Sequence, residues 1–314
     1  MSTATLIELI KAIFYGIIEG ITEWLPISST GHLILFERFF NFNSSKEFIE
    51  MYRVVIQFGA IFAVVLLFFG KIWPFGWHSA SKHSKNSRLG DNDKLFLKKC
   101  VFKTDIFNLW IKIIVACIPT IIYAVLFDEK VSTLLSSEIG STGIAVEFLV
   151  VIVMLVLVGA VFIIIENKNR GKTPKIETAL TIPYKEALLI GVFQLAAAAL
   201  PGTSRSGATI LGALMLGVSR AAAAEFTFYL AIPVMFGASL WKGYKFLGSG
   251  TAISSTELAV LVVGMVVAFA VSIFVIRFLM GFIKKHDFKV FGWYRIVLGA
   301  VLIVYFLITV LKAA

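Results

Sequence analysis

The chain has 314 residues, 59% hydrophobic and only 15% charged, at a mean hydropathy of +0.91. Soluble domains carry roughly 25% charged residues, so a soluble globular fold is excluded, and apolar runs that are continuous rather than alternating exclude a membrane β-barrel. The net charge of +10 gathers in segments between those runs, which follows the positive-inside pattern and excludes nucleic acid as a partner.

From the N-terminus, segment 5–40 is long enough for one span plus a remainder but is broken near its middle by Pro26 and Gly31 among polar residues. Glu8 precedes Lys11, and Glu19 and Glu23 interrupt the apolar run, so this segment does not read as a cleavable signal. Spans are predicted at 52–72, 106–127, 143–165, 222–247, 257–283 and 291–311, with Trp73, Trp110, Trp241 and Trp293 near their ends as interfacial anchors. Segment 185–217 repeats the broken pattern around Pro201 and Gly202. Both broken segments are read as re-entrant hairpins of two half-helices, since irregular backbone at membrane depth survives only when buried in protein or lining a cavity. Cys100 and Cys117 supply neither a disulfide framework nor metal-ligand spacing.

Basic residues crowd the loops at about 73–105, 167–185 and 284–290, whereas 128–142 and 248–256 hold only Lys130. Basic loops lie inside, which puts both termini outside and makes the two hairpins enter from opposite faces. The predicted fold is an all-α polytopic membrane protein, with six transmembrane helices and two re-entrant hairpins in an inverted-topology repeat. It is one integral domain, 1–314, with halves near 1–165 and 185–314 and a polar cytoplasmic loop at 73–105. Leu25-Pro26-Ile27-Ser28-Ser29 aligns with Leu200-Pro201-Gly202-Thr203-Ser204. Such repeats place a binding site near the midplane between the halves.

The two polar runs carry the chemistry. Glu19 and Glu23 stand one helical turn apart, and like charges at that spacing repel, so either one is protonated or a cation sits between them. Mg²⁺, bound by one or two carboxylates and substrate phosphates, suits the pair, with Ca²⁺ as the alternative. A wet cavity that merely solvates both acids is the bland alternative. Ser28, Ser29 and Thr30 precede one apolar run, and Thr203, Ser204 and Ser206 precede Ile210-Leu211, so each set reads as the N-cap of a returning helix. Two helix N-termini then offer free N–H groups to an anion. Gly202 and Gly207 permit close approach, and Arg205 adds a bidentate fork for phosphate oxygens, or else an ion pair with Glu19 or Glu23. His32 lies close to Ser29 and is a candidate acid or base. Glu225 either joins the site or caps a helix, the cap being the favoured reading.

At these residues the chain resembles the undecaprenyl-diphosphate phosphatase family, the bacitracin-resistance phosphatases of bacterial inner membranes. The acid-x-x-x-Glu motif is matched by Glu19 and Glu23, the Ser-Ser-Thr-Gly-His run by Ser28 to His32, and Pro-Gly-x-Ser-Arg-Ser-x-x-Thr from Pro201 to Thr209. Ser219, Arg220, Ala223, Glu225 and Phe226 match a further stretch, while the polar insertion around 79–99 is longer than the resemblance leads one to expect.

The resemblance implies hydrolysis of undecaprenyl diphosphate, a polyprenyl diphosphate lipid, to undecaprenyl phosphate and inorganic phosphate. It also implies a divalent-metal requirement and a site open to the outer face, in a protein surrounded by membrane lipids that admits a homodimer. In that reading Glu19 and Glu23 hold the metal or act as acid and base. Ser28, Thr30, Gly202, Ser204, Arg205, Ser206 and Thr209 bind the diphosphate. Ser29 or His32 delivers the attack, directly or through water, with Ser29 favoured as a helix-capping oxygen. A transporter or flippase for a phosphorylated lipid is the competing reading, because inverted repeats with broken helices serve it equally well.

Overall fold

The computed structural model describes residues 2–37, 40–78, 99–137, 145–250 and 252–313. Most of loop 73–105, including Lys82, Lys85, Arg88, Lys94 and Lys98, lies outside them. The described helices are α1 (Thr3–Thr22), α2 (Ser29–Glu37), α3 (Lys46–Ile72), α4 (Thr104–Leu126), α5 (Asp128–Ser136), α6 (Val146–Asn169), α7 (Tyr184–Ala199), α8 (Arg205–Met215), α9 (Arg220–Gly248), α10 (Ser255–Phe282) and α11 (Lys289–Ala313). A short antiparallel ribbon, β1 (Phe75–His78) with β2 (Lys99–Phe102), follows α3 and departs from an all-α chain.

Six helices, α3, α4, α6, α9, α10 and α11, are long and apolar enough to cross a membrane, and each overlaps one predicted span over most of its length. The chain is a multi-pass membrane protein. Helix α3 starts earlier than its apolar run because Ser45 caps it, accepting from the Phe48 N–H at 3.1 Å, with Glu47 in the first turn. Helix α5 falls where a loop is predicted; Asp128 and Glu129 favour its N-terminus, and none of its residues is buried. Trp73, Trp241 and Trp293 are exposed as anchors should be, whereas Trp110 turns inward and donates to the Ile72 carbonyl at 2.7 Å.

Each broken segment is a helix, a break and a second helix, but the arms are unequal. At about 1.5 Å per residue, α1 is about 30 Å long and α2 only about 14 Å. Helices α7 and α8 come to about 24 and 17 Å. Helix α1 packs on α10 and α7 on α4; α3 touches α10 and α9 touches α4; α3 meets α9 and α6 meets α11. Exchanging α1, α3, α4 and α6 for α7, α9, α10 and α11 leaves this pattern of neighbours unchanged.

Apolar surface gains little by leaving lipid for a helix interface, so these crossings depend on close approach at small residues. Cβ atoms added to Gly159 and Gly292 would each come within 2.7 Å of the other's carbonyl oxygen, which pins α6 to α11. A Cβ on Gly191 would fall directly on the Ala116 carbonyl of α4. Because that neighbour is backbone, Gly191→Ala is expected to cost about 1–3 kcal/mol by overpacking. The check is the thermal midpoint in detergent against Gly237→Ala, where nothing lies within 4 Å of the new methyl; equal midpoints would contradict the packing argument.

Candidate active site

Both breaks end on a serine with positive φ, Ser28 at 75° and Ser204 at 69°, a region that costs a side-chain-bearing residue about 1–2 kcal/mol. Each is held there by capping: Ser28 Oγ accepts from the Gly31 N–H at 3.3 Å and Ser204 Oγ from the Gly207 N–H at 3.1 Å. The structure therefore pairs Ser28 with Ser204, one residue off the alignment anchored on Leu-Pro. The second break is one residue longer between Pro201 and its cap, and Gly202, at φ 88°, accommodates it with its Cα hydrogens against the Val151 backbone. The cap of α2 is thus Ser28, not Ser29. Ser29 and Arg205 become equivalent first residues of α2 and α8, where helix geometry gives their amides, and those of Thr30 and Ser206, no intrahelical acceptor.

Freed from capping, Ser29 points at an acid: its Oγ donates to Glu23 Oε2 at 3.0 Å. Arg205 reaches the same carboxylate from the other break, Nη2 to Oε1 at 3.0 Å and Nε to Oε1 at 3.4 Å. Its remaining Nη1 donates to the Thr227 carbonyl at 3.2 Å, and its guanidinium lies 5.9 Å from the Trp24 ring centre. Of the two ion pairs that sequence allows for Arg205, the structure makes the one with Glu23, nearly buried on both sides. Glu19, one turn back, is fully buried with Glu23 and Gln57 beside it, and among the described residues neither carboxylate oxygen closes a hydrogen bond. His32 Nδ1 sits 2.7 Å from the Ser28 carbonyl and Nε2 2.7 Å from the Tyr294 hydroxyl.

The other predicted residues divide by depth. Thr30 and Ser204 are half-buried beside the breaks. Ser206 is buried and its hydroxyl donates to the Glu23 and Leu25 carbonyls at 3.0 and 3.3 Å, stitching α8 to the first break. Thr209 is buried, donating to the Arg205 carbonyl at 2.9 Å and accepting from Thr227 Oγ1 at 2.9 Å. Both hydroxyls are committed to protein partners. Glu225 is no cap: Ser219 caps α9, accepting from the Ala222 N–H, while Glu225 pairs with Lys71 at 2.6 Å. Arg220 grips the buried Glu166 at the far end of α8, and the Phe288 N–H joins them at 3.0 Å, tying α6, α9 and the start of α11 together.

Sequence reasoning passes over Arg295, which lies just inside the last predicted span. It is fully buried and donates to three backbone carbonyls, Pro26 at 3.3 Å, Met154 at 3.2 Å and Gly202 at 2.7 Å. One guanidinium thus bonds both breaks and α6. The signal was present, since an ionisable residue inside a span is a functional candidate by default, but Lys289 and the basic loop before it disguise Arg295 as a membrane-edge residue.

Residues 12–301 match the family model described as bacitracin resistance protein BacA. The chain belongs to that family. An undecaprenyl-diphosphatase of Acetivibrio thermocellus is 53% identical over 302 residues, 96% of this chain and 99% of the relative. The undecaprenyl-diphosphatases of Lachnoclostridium phytofermentans, 54% identical over 304 residues, and of Enterococcus faecalis, 52% over 293 residues, cover 96% and 93% of this chain and 98% and 95% of their own lengths. The family match therefore takes in α2, α8 and α9, both breaks, Glu19, Glu23, Arg205 and Arg295.

Proposed function

We propose that this chain hydrolyses undecaprenyl diphosphate to undecaprenyl phosphate and inorganic phosphate, recycling the carrier lipid of cell-wall synthesis in a bacterial inner membrane. The observation that carries the reading is the double engagement of Glu23, one oxygen on a hydroxyl of the first break and the other on a guanidinium of the second. Phosphoryl transfer needs chiefly positioning and charge stabilisation. Glu23 takes the Ser29 proton as Oγ bonds to the terminal phosphorus and the bridging P–O bond to the lipid phosphate breaks. Arg205 and the free amides of the two helix starts hold the phosphate oxygens. Water then opens the phosphoserine.

The residues fit a divalent cation. Glu19 presents two buried oxygens with no hydrogen-bond partner among the described residues, and Glu23 Oε2, which accepts from Ser29, keeps a lone pair. Among the described residues no group of three or more His, Cys, Asp or Glu could enclose a metal, which suits Mg²⁺ or Ca²⁺ shared with substrate phosphates rather than a protein cage. When bound, the ion would offset charge on the diphosphate oxygens.

The hairpins are read as re-entrant and the halves as an inverted repeat. The exchange of helix neighbours, the matched caps Ser28 and Ser204, and the reciprocal contact of Gly159 with Gly292 support this. Loop charge favours termini on the outer side, and the family resemblance a site open to that side.

The test is phosphate release from undecaprenyl diphosphate by the purified protein in detergent, with Mg²⁺, with EDTA and with Glu23→Gln. Metal-dependent release that Glu23→Gln lowers by about 10²–10⁴-fold is expected. No release from folded wild type under any divalent ion would overturn the reading. Absence of phosphoserine in a trapped reaction, with water oxygen entering phosphate in one step, would remove Ser29 as the nucleophile.

A further inference from the structure

His32 has both ring nitrogens spoken for, and the two partners are of different kinds. The Ser28 carbonyl, 2.7 Å from Nδ1, can only accept, so Nδ1 carries the proton. In the neutral ring Nε2 is then the acceptor, and the Tyr294 hydroxyl, at 2.7 Å, donates to it. The two rings are nearly parallel, 7° apart with centroids 5.6 Å from each other. The neighbour of Tyr294 in sequence, Arg295, fastens α11 to both breaks. The Tyr294 backbone is therefore held in register with Ser28 and His32 rather than left to chance.

Two consequences follow for the chemistry. His32 lies one helical turn beyond Ser29 on α2, but its basic nitrogen faces Tyr294, while the Ser29 hydroxyl is already bonded to Glu23. His32 is thus not the base for Ser29. And Tyr294, at 45% relative exposure, is the more exposed of the two partners, His32 being half-buried. Its oxygen still has lone pairs after donating to Nε2, and among the described residues no other hydrogen bond to it is made.

On this geometry, and resting on the phosphatase reading, we propose that Tyr294 is a further catalytic residue, the relay through which His32 takes a proton from the water that opens the phosphoserine. As the water oxygen bonds to phosphorus and the Ser29 Oγ–P bond breaks, one water proton passes to Tyr294 Oη while the tyrosine's own proton passes to His32 Nε2. Ser29 Oγ recovers the proton that Glu23 holds. The imidazolium returns its proton by the same path to the released phosphate, leaving every group as it began.

The test is a double-mutant cycle on the full-length protein in detergent, with phosphate release and the thermal midpoint measured for wild type, Tyr294→Phe, His32→Gln and the double variant. Tyr294→Phe keeps the ring and removes one oxygen from a partly exposed side chain, so the midpoint is expected to stay at the wild-type value. Its kcat is expected to fall about ten- to a hundredfold, a fraction of what a full acid–base group supplies. The double variant is expected to match His32→Gln within about twofold, because a relay has no function without the group it serves. Wild-type kcat in Tyr294→Phe, or losses that multiply in the double variant, would overturn the relay while leaving the phosphatase intact. A wild type that releases no phosphate would sink the underlying activity instead.

Discussion

Replacing Arg205 with lysine is expected to lower kcat for phosphate release by about 10²–10³-fold, the range for removing one preorganised donor to developing charge. Charge is conserved in this change, so the loss isolates geometry. The guanidinium does three things at once: it holds Glu23 through Nη2 and Nε, bonds the Thr227 carbonyl through Nη1 and lies against Trp24. A lysine ammonium is a compact point charge whose donors cannot span Glu23, Thr227 and a phosphate in one plane. Once Arg205 is shortened, the Glu23 side chain keeps Ser29 alone among the described residues, in surroundings that leave it 6% exposed. An acid stripped of its buried partner is destabilising as well as inactive, so the thermal midpoint should fall with kcat. Steady-state release and the midpoint, measured together on Arg205→Lys and Arg205→Ala, check this. A lysine variant within tenfold of wild type would show that charge alone suffices at this position.

The parts of this molecule set by local chemistry were legible in the sequence. Apolar length located the six spans, and the cost of acids, hydroxyls, His and Arg at membrane depth marked the two polar runs. The pairing of Glu19 with Glu23 needed only helical spacing. What stayed hidden was set by tertiary contact or backbone conformation. Which serine caps α2 depends on the positive φ of Ser28, and no residue type announces that. The commitment of Ser206 and Thr209 to protein carbonyls and hydroxyls depends on how α8 lies against the first break. Glu225 has the look of a cap until Lys71, 154 residues away in sequence, takes its carboxylate. Arg295 is the largest omission, because its three acceptors come from three distant stretches of chain.

That omission leads to the second large effect. With Arg295 included, the site gathers two buried acids, Glu19 and Glu23, and two arginines, Arg205 and Arg295, around the two breaks. Arg295→Met keeps most of the side-chain volume and removes the three bonds to the Pro26, Met154 and Gly202 carbonyls. Two effects then oppose each other in stability. The buried Pro26 and Gly202 carbonyls lose a donor, at about 1–3 kcal/mol each, while the part-buried Met154 carbonyl lies within α6. The desolvation cost of a buried guanidinium with no carboxylate within ion-pair reach among the described residues is relieved, and apolar replacement of buried charge is often neutral or better. The midpoint should therefore move less than three lost hydrogen bonds imply. Activity has no such offset. The two breaks carry Ser29 and Arg205, and one guanidinium joins their carbonyls; a shift of about 1 Å between reacting groups can cost about 10²-fold. A folded Arg295→Met variant with kcat lowered at least that far is the expected result. Wild-type turnover in this variant would mean that Ser206, through its bonds to Glu23 and Leu25, holds the breaks in register by itself.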